Sequence, residues 1–297
     1  MTADRPALGI LLMLGFCVLA PLGDSIAKLL GGTIPLLQLL FVRFFIQTIL
    51  LLPIILLGGR KLNMSRRLVW LTLTRTLLHI IGVGAMFLSL QFLPLADAVA
   101  IAFVMPFIML LLGRFILHEE VGSRRLAACA VGFAGTLLVV QPSFSEVGAP
   151  ALLPLLVAVD FAFFMLVTRQ IAKLVDPVSL QAISGGMATV ILLVIYSLTA
   201  LFGVHETLIV APDWSTAALL LAIGVVGTLA HLLMTWSLRF APSATLAPMQ
   251  YLEIPVATII GYLVFADLPD ALAALGIVIT ICAGLYVVIR EHSISRR

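Results

Sequence analysis

The chain has 297 residues, of which 62% are hydrophobic and only 10% are charged. Its mean hydropathy of +1.23 excludes an ordinary soluble domain, because a chain of this length cannot bury that much apolar surface away from water. The formal net charge of +3 does not indicate a nucleic-acid partner, since the basic residues follow the loops of a membrane protein, and we expect the lipid bilayer to be the solvent.

Ten apolar segments follow one another along the chain, each suited to crossing the roughly 30 Å hydrocarbon core of a bilayer. We predict membrane-spanning helices at about Ala7–Leu30, Thr33–Leu57, Leu68–Gln91, Leu95–Leu117, Arg124–Val140, Pro150–Ala172, Pro177–Phe202, Trp214–Phe240, Ser243–Phe265 and Pro269–Arg290. The fold class expected is therefore an all-α membrane protein with ten transmembrane helices.

Prolines mark two kinds of position in this series. The stretch Gln141–Pro150 is rich in Pro, Ser and Gly, which predicts a linker between a first half at residues 7–141 and a second at 150–290. Pro106 and Pro255 instead lie inside the fourth span of each half. An interior proline removes one helical hydrogen bond and clashes with the carbonyl group four residues earlier, so we predict kinks there that could serve in gating; the alternative is that they only shape the packing.

The basic residues predict the orientation of the chain. If the N-terminus is cytoplasmic, thirteen of the 17 Lys and Arg residues fall in cytoplasmic segments and only Lys28 falls outside. Bacterial membrane proteins retain Lys and Arg in cytoplasmic loops. We therefore expect a multi-pass membrane protein with both termini in the cytoplasm.

Short motifs recur between the halves. The sequence IAKL at Ile26–Leu29 returns at Ile171–Leu174, and SLQFLP at Ser89–Pro94 returns as SLRFAP at Ser237–Pro242, about 145 to 149 residues later. Each half contains five spans, an odd number, so the two copies should have opposite orientations. Inverted repeats of this kind let a transporter build one central cavity that is reachable from either side.

Several motifs resemble those of the EamA family of the drug/metabolite transporter superfamily. They are FVRFF at Phe41–Phe45, LHEEV at Leu117–Val121, its counterpart FADLP at Phe265–Pro269, and YLEIP at Tyr251–Pro255. The resemblance covers essentially the whole chain and is strongest to the YddG-like bacterial amino acid exporters. It implies ten helices around a central cavity and export of amino acids across the inner membrane.

Polar residues deep in the spans are the candidates for substrate binding, because an ionisable side chain at the bilayer centre costs on the order of 3 kcal/mol. Arg43 and Gln47 share one face of the second span, and Arg43 could hold a substrate carboxylate or instead form an internal ion pair with Asp160 or Glu253. His79 and Met86 share one face of the third span, where a histidine could line the cavity or join two helices.

The second half supplies the other candidates. Asp160 lies close to Phe164 and could bind an ammonium group beside an apolar side chain, or face inward from a lipid-exposed aromatic surface. His231 belongs to a polar seam that should face protein. Gln250 and Glu253 precede Pro255, and Glu253 could hold a proton or an ammonium group.

Four charges closer to the span ends, Asp24, Lys28, Asp97 and Asp267, are expected to be solvated or to snorkel. The chain lacks HExxH, paired GxGD-type aspartates and a Ser/His nucleophile motif, so we expect no enzyme, no catalytic residue, no cofactor and no metal site. The function predicted is a secondary amino acid exporter, aromatic amino acids included, that works by alternating access as a monomer. The alternative is a broader drug or metabolite exporter.

Overall fold

The computed structural model describes residues 5–58, 64–116, 122–202 and 209–294, and over those ranges the chain is all-helical. The α-helices, in chain order from α1 to α12, are Pro6–Leu30, Leu36–Leu57, Arg66–Ser89, Leu95–Ala102, Met105–Ile116, Ser123–Val147, Leu153–Ala172, Pro177–Leu201, Trp214–Phe240, Ser243–Leu246, Glu253–Phe265 and Ala271–Ile294. Short 3₁₀ segments, Ala149–Leu152 and Ala247–Leu252, precede α7 and α11.

Eight helical segments within the described ranges are long and apolar enough to cross a membrane. Two more, Met249–Phe265 and Ala271–Tyr286, are apolar but shorter. The chain is therefore a multi-pass membrane protein, as its composition indicated, whereas the arrangement of ten spans as two inverted five-helix repeats remains a prediction. The LHEEV motif at residues 117–121 lies outside the described residues.

The fourth and ninth spans are interrupted near their interior prolines. Helix α4 ends at Ala102 and α5 begins at Met105. Ala102 is four residues before Pro106 and is therefore the residue whose carbonyl group a helical proline would clash with. In the ninth span, α10 and the 3₁₀ segment Ala247–Leu252 lead into α11, which begins two residues before Pro255. Both interruptions lie deep in an apolar stretch, where a free backbone group is tolerated only against protein or a cavity.

The predicted linker at Gln141–Pro150 is wrong in extent. Helix α6 continues through most of it to Val147 and turns at Gly148, whose φ of 68° suits a residue without a side chain. The proline and serines that suggested a loop lie in the last turns of the helix instead. Membrane helices tolerate such residues because neighbouring groups satisfy the backbone.

Packing between helices from different halves holds the molecule together. Helix α1 packs along α9, α2 along α8 and α9, α3 along α7, and α6 along α12. The last pair approaches backbone to backbone: a Cβ at Gly135 would lie 2.7 Å from the carbonyl oxygen of Gly276. The described apolar core extends through all twelve helices and includes the fully buried Phe44 and Phe164.

Candidate functional site

A cavity lies inside this helical core. Its walls come from α1, α2, α3, α4, α5, α7, α9 and the start of α11, and the space between the lining atoms is about 820 Å³ with its open mouth included. Its central position and its mixed apolar and charged lining make this cavity the candidate substrate site.

Most of the cavity wall is apolar and aromatic. The rings of Phe16 and Phe161 are stacked with centroids 6.0 Å apart, and Phe87 and Phe103 also face the cavity. Met86, predicted from the stripe on the third span, lines it as well. Aromatic faces offer a broad surface to a flat ligand, and a thioether adapts to irregular shapes.

Charges of both signs face the same space. Asp24, Arg43 and Glu253 all line the cavity, and Asp24 interacts electrostatically with both of the others. Arg43 is only 3% exposed, and its guanidinium lies over the Phe44 ring, 4.7 Å from the centroid. A small ligand in the cavity could therefore meet a cation and two carboxylates at once.

The expected ion pair of Arg43 with Asp160 or Glu253 is not formed. Arg43 lies within 4.0 Å of no described carboxylate, whereas Lys28 and Asp267 do form an ion pair. Its Nη2 lies 3.4 Å from Nε2 of His79, and its Nη1 has no hydrogen-bond partner. Arg43 thus retains donors for a ligand.

Two histidines meet beside this arginine. Nε2 of His79 on α3 lies 3.2 Å from Nε2 of His231 on α9, and His231 lines the cavity while His79 lies behind it. Phe164 packs against both imidazoles, with centroids 4.9 Å from His79 and 5.8 Å from His231. These three predicted residues therefore form one cluster at the cavity wall.

The other predicted binding residues surround the cavity without lining it. Asp160 is buried against α3, where a Cβ on Gly82 would collide with its carboxylate. Gln47 donates to the backbone oxygen of Gln181 at 2.8 Å, and Gln181 in turn donates to the backbone oxygen of His231 at 2.7 Å. Gln47 thus supports the histidine through α8.

Gln250 lies in the 3₁₀ segment before α11. It is fully buried, and its Nε2 lies 3.3 Å from Sδ of Met165, while its Oε1 has no hydrogen-bond partner. The structure therefore places Gln250 in the core beside the interruption of the ninth span, outside the cavity lining. Its role in binding stays a prediction.

A second buried arginine lies next to this cluster. Arg75 on α3 has no exposed surface, and it donates to Oγ1 of Thr168 and to Oγ of Ser184, each at 2.9 Å. Its guanidinium covers Phe164 at 4.6 Å from the ring centroid. Arg75 ties α3 to α7 and α8 and adds positive charge behind the cavity wall.

Asp24 lines the cavity, contrary to the prediction from its position in the sequence. It was expected to be a solvated charge near the end of the first span. The sequence does contain a pattern that groups Asp24 with cavity residues. Phe16, Ala20 and Asp24 follow one another at four-residue spacing and therefore share a helix face. All three line the cavity.

Lys28 and Asp267, likewise expected to be solvated, join two helix ends instead. Nζ of Lys28 lies 2.8 Å from Oδ2 of Asp267 and 4.6 Å from the centroid of the Phe265 ring. The contact holds the end of α1 against the end of α11. Among the described residues, no group of three His, Cys, Asp or Glu side chains could hold a metal ion.

Comparison with known proteins fits a cavity of this kind. The model of the EamA-like transporter family matches the chain twice, at residues 7–141 and 149–290. The chain belongs to this family. It is accordingly a membrane transporter of the drug/metabolite transporter superfamily, and the transporters named below are not enzymes.

Named relatives of this EamA-like chain carry different substrates. It is 30% identical to a riboflavin transporter of Rhizobium johnstonii, over 77% of this chain and 73% of that one. It is 27% identical to an S-adenosylmethionine uptake transporter of Rickettsia felis and to a pseudopaline exporter of Pseudomonas aeruginosa, each over 92% of this chain and 90% of the relative. These names support the family but not the narrower resemblance to YddG-like amino acid exporters.

A solved crystal structure shares the fold of this EamA-like chain. It superposes with a TM-score of 0.67 at 19% sequence identity, covering 97% of this chain and 98% of the other. The similarity extends over nearly the whole of both chains. At this level of identity it describes the fold alone.

Proposed function

We propose that this EamA-like chain carries a zwitterionic metabolite with an aromatic portion across the bacterial inner membrane. The observation that supports this proposal is the composition of the cavity, which places Arg43 together with Asp24 and Glu253 inside a wall of phenylalanine rings. A ligand with charges of both signs and a flat apolar part would complement all three features.

Each lining group has a part in this binding scheme. Arg43 binds the substrate carboxylate, because its planar guanidinium matches two oxygens at once. Asp24 and Glu253 face the substrate cation and balance its charge. Phe16 and Phe161 flank the aromatic portion, while His231 supplies a hydrogen-bonding group at the cavity wall.

The substrates of the relatives narrow the choice. S-adenosylmethionine joins an amino acid group to an aromatic base, which matches the mixed lining of the cavity. Aromatic amino acids have the same charged group on a smaller body. We therefore propose an amino-acid-bearing aromatic metabolite, with S-adenosylmethionine as the first substrate to test and a free aromatic amino acid as the narrower case.

Riboflavin is the second candidate. The aromatic wall suits its flat ring system, and a riboflavin transporter is 30% identical to this chain. Riboflavin carries no charge near neutral pH, however, so Arg43, Asp24 and Glu253 would remain without ionic partners. The buried charges therefore favour a zwitterion.

Transport would proceed by alternating access between two inverted five-helix halves, as the repeated motifs predict. The interruptions at Pro106 and Pro255 would let the fourth and ninth spans bend beside the cavity. Relatives include both an uptake transporter and an exporter. The relatives therefore do not fix one direction of net movement.

Counterflow in proteoliposomes tests this proposal. Vesicles are loaded with unlabelled S-adenosylmethionine, riboflavin or phenylalanine, and the labelled form of the same compound is added outside. We expect saturable uptake of labelled S-adenosylmethionine. Arg43→Gln should abolish that uptake, whereas Arg66→Gln, which neutralises an exposed arginine at the start of α3, should preserve it. Uptake of riboflavin alone would favour the second candidate, and no uptake of any probe would refute the proposal.

A further inference from the structure

The imidazole pair at the cavity wall is a small proton-handling unit. His79 and His231 are 2% and 7% exposed, and their Nε2 atoms face each other at 3.2 Å. The Nδ1 atoms of both rings are buried without a hydrogen-bond partner. A buried polar atom without a partner is costly, so this arrangement calls for a functional explanation.

Arg43 fixes where the protons of the pair reside. A guanidinium can only donate hydrogen bonds, so Nε2 of His79, which lies 3.4 Å from Nη2 of Arg43, must be an acceptor. The neutral His79 then carries its proton on Nδ1. Nε2 of His231, 3.2 Å from Nε2 of His79, then shares this single acceptor as a second donor, which leaves Nδ1 of His231 as the ring nitrogen of the pair that can accept a proton.

The charges around the pair determine when Nδ1 of His231 can bind a proton. The charges that act on both imidazoles are Arg43 from α2 and Arg75 from α3. Asp24 from α1 and Glu253 from α11 line the same cavity as His231, Asp160 from α7 lies against Gly82 on α3, and α8 contributes the neutral Gln181, which bonds the backbone oxygen of His231. A proton on the pair would add positive charge beside two buried guanidinium groups. A substrate carboxylate bound to Arg43 would offset that repulsion.

We propose that the His79–His231 pair binds one proton together with the substrate, so that the carrier is a proton–substrate symporter. The proton adds to Nδ1 of His231 as the substrate carboxylate pairs with Arg43, and both leave on the other side of the membrane, with no bond in the substrate made or broken. This inference rests on the proposed function, because the substrate carboxylate at Arg43 offsets the positive charge that the proton adds.

The accumulation of substrate against its gradient tests the coupling in the wild-type protein. Proteoliposomes are clamped at zero membrane potential with potassium and valinomycin, and the outer solution is one pH unit more acidic. The counterflow probe should accumulate inside about tenfold, the ratio that corresponds to about 1.4 kcal/mol for one proton. A pH dye should report proton entry in parallel with substrate entry.

His231→Gln removes the proton acceptor while retaining a polar side chain. The accumulation ratio should fall to about one, and this steady-state ratio does not depend on how fast the variant turns over. Thr228→Val is the matched control, since Thr228 is a buried residue about one turn earlier on α9 whose hydroxyl bonds the backbone oxygen of Gly224 at 2.6 Å. That variant should accumulate substrate as the wild type does.

The outcomes separate the two proposals. Saturable counterflow with an accumulation ratio of one in the wild type would overturn the coupling and leave the proposed function intact. Unchanged accumulation by a folded His231→Gln variant would overturn the assignment to this pair. If that variant fails to fold, the proton entry measured with the wild type still decides between coupled and uncoupled transport. No counterflow of any probe would overturn the proposed function and the coupling with it.

Discussion

The position of Arg43 in the cavity depends on a residue that has no side chain. Gly227 on α9 faces the guanidinium closely, so that a Cβ there would lie 3.0 Å from Nε and 3.1 Å from Nη2 of Arg43. These distances are tighter than ordinary van der Waals contact. The glycine therefore gives the arginine room to lie between Phe44 and His79.

Gly227→Ala should weaken substrate binding while preserving the fold. The added methyl group would displace the guanidinium from its place, and we expect an affinity loss of about five- to tenfold, or about 1 to 1.4 kcal/mol. Gly186→Ala on α8 is the control, because a Cβ there meets no atom within 4 Å. The half-saturation concentration for counterflow measures both effects. Equal affinities in the two variants would show that Arg43 does not hold the substrate.

Residue type and depth in a span identified several of the cavity residues, but not all of them. Arg43, Met86, His231 and Glu253 stood out because charged or polar groups in lipid require a partner, or because they shared a stripe. Asp24 did not, since its position near the end of a span suggested solvent. The distance between His79 and His231 depends on how α3 and α9 lie in space, and no spacing along the chain reports it.

At the scale of helices, the contact between the ends of α1 and α11 unites three side chains. The Lys28 ammonium meets the Asp267 carboxylate and the face of the Phe265 ring. Helix α11 ends next to this contact, where Ala266 adopts a left-handed conformation with φ of 57°. The ion pair is partly exposed, so it contributes at most about 1 kcal/mol.

Neutralising this ion pair should change the rate of transport. If the ends of α1 and α11 separate during each cycle, Lys28→Gln and Asp267→Asn should each change the counterflow rate by up to about fivefold, consistent with an ion pair of that strength. The double variant should resemble either single variant, because the same contact is lost. Lys28→Arg should retain the wild-type rate. Additive effects of the two neutralisations would show that the residues act separately.

Helix type and extent followed well from the sequence, whereas helix ends and partners did not. Continuous apolar runs predicted the long helices, and interior prolines predicted where the fourth and ninth spans depart from regular geometry. The segment Gln141–Pro150 was misjudged because proline and serine are loop residues in water, yet α6 retains them. The pairing of α1 with α9 and of α3 with α7 arises from side-chain packing between distant segments, which a single sequence does not encode visibly.

For the whole molecule, the distribution of charge gives a testable orientation. A green fluorescent protein fused after Arg297 should fluoresce and alkaline phosphatase fused there should be inactive, because both termini are predicted to be cytoplasmic. Alkaline phosphatase fused after Val210, between the predicted seventh and eighth spans, should be active. An active phosphatase at the C-terminus would reverse the assigned orientation if the Val210 fusion were inactive, and would require a different number of spans if the Val210 fusion were active.

The two halves have diverged in their buried chemistry while retaining repeated motifs. Asp24 lies two residues before the first IAKL motif and lines the cavity, whereas Arg169 precedes the second motif by the same two residues and donates to the backbone oxygen of Leu238 at 2.5 Å. A carboxylate in one copy thus corresponds to a guanidinium in the other. The two halves consequently contribute different charges around the candidate substrate site.

The close approach of Gly135 and Gly276 has a mechanical consequence. No described residue of α6 or α12 lines the cavity, and a Cβ at either glycine would collide with the carbonyl oxygen of the other. The two helices therefore cross more closely here than residues with side chains would allow. Such a contact can act as a pivot between α6 and α12, away from the cavity.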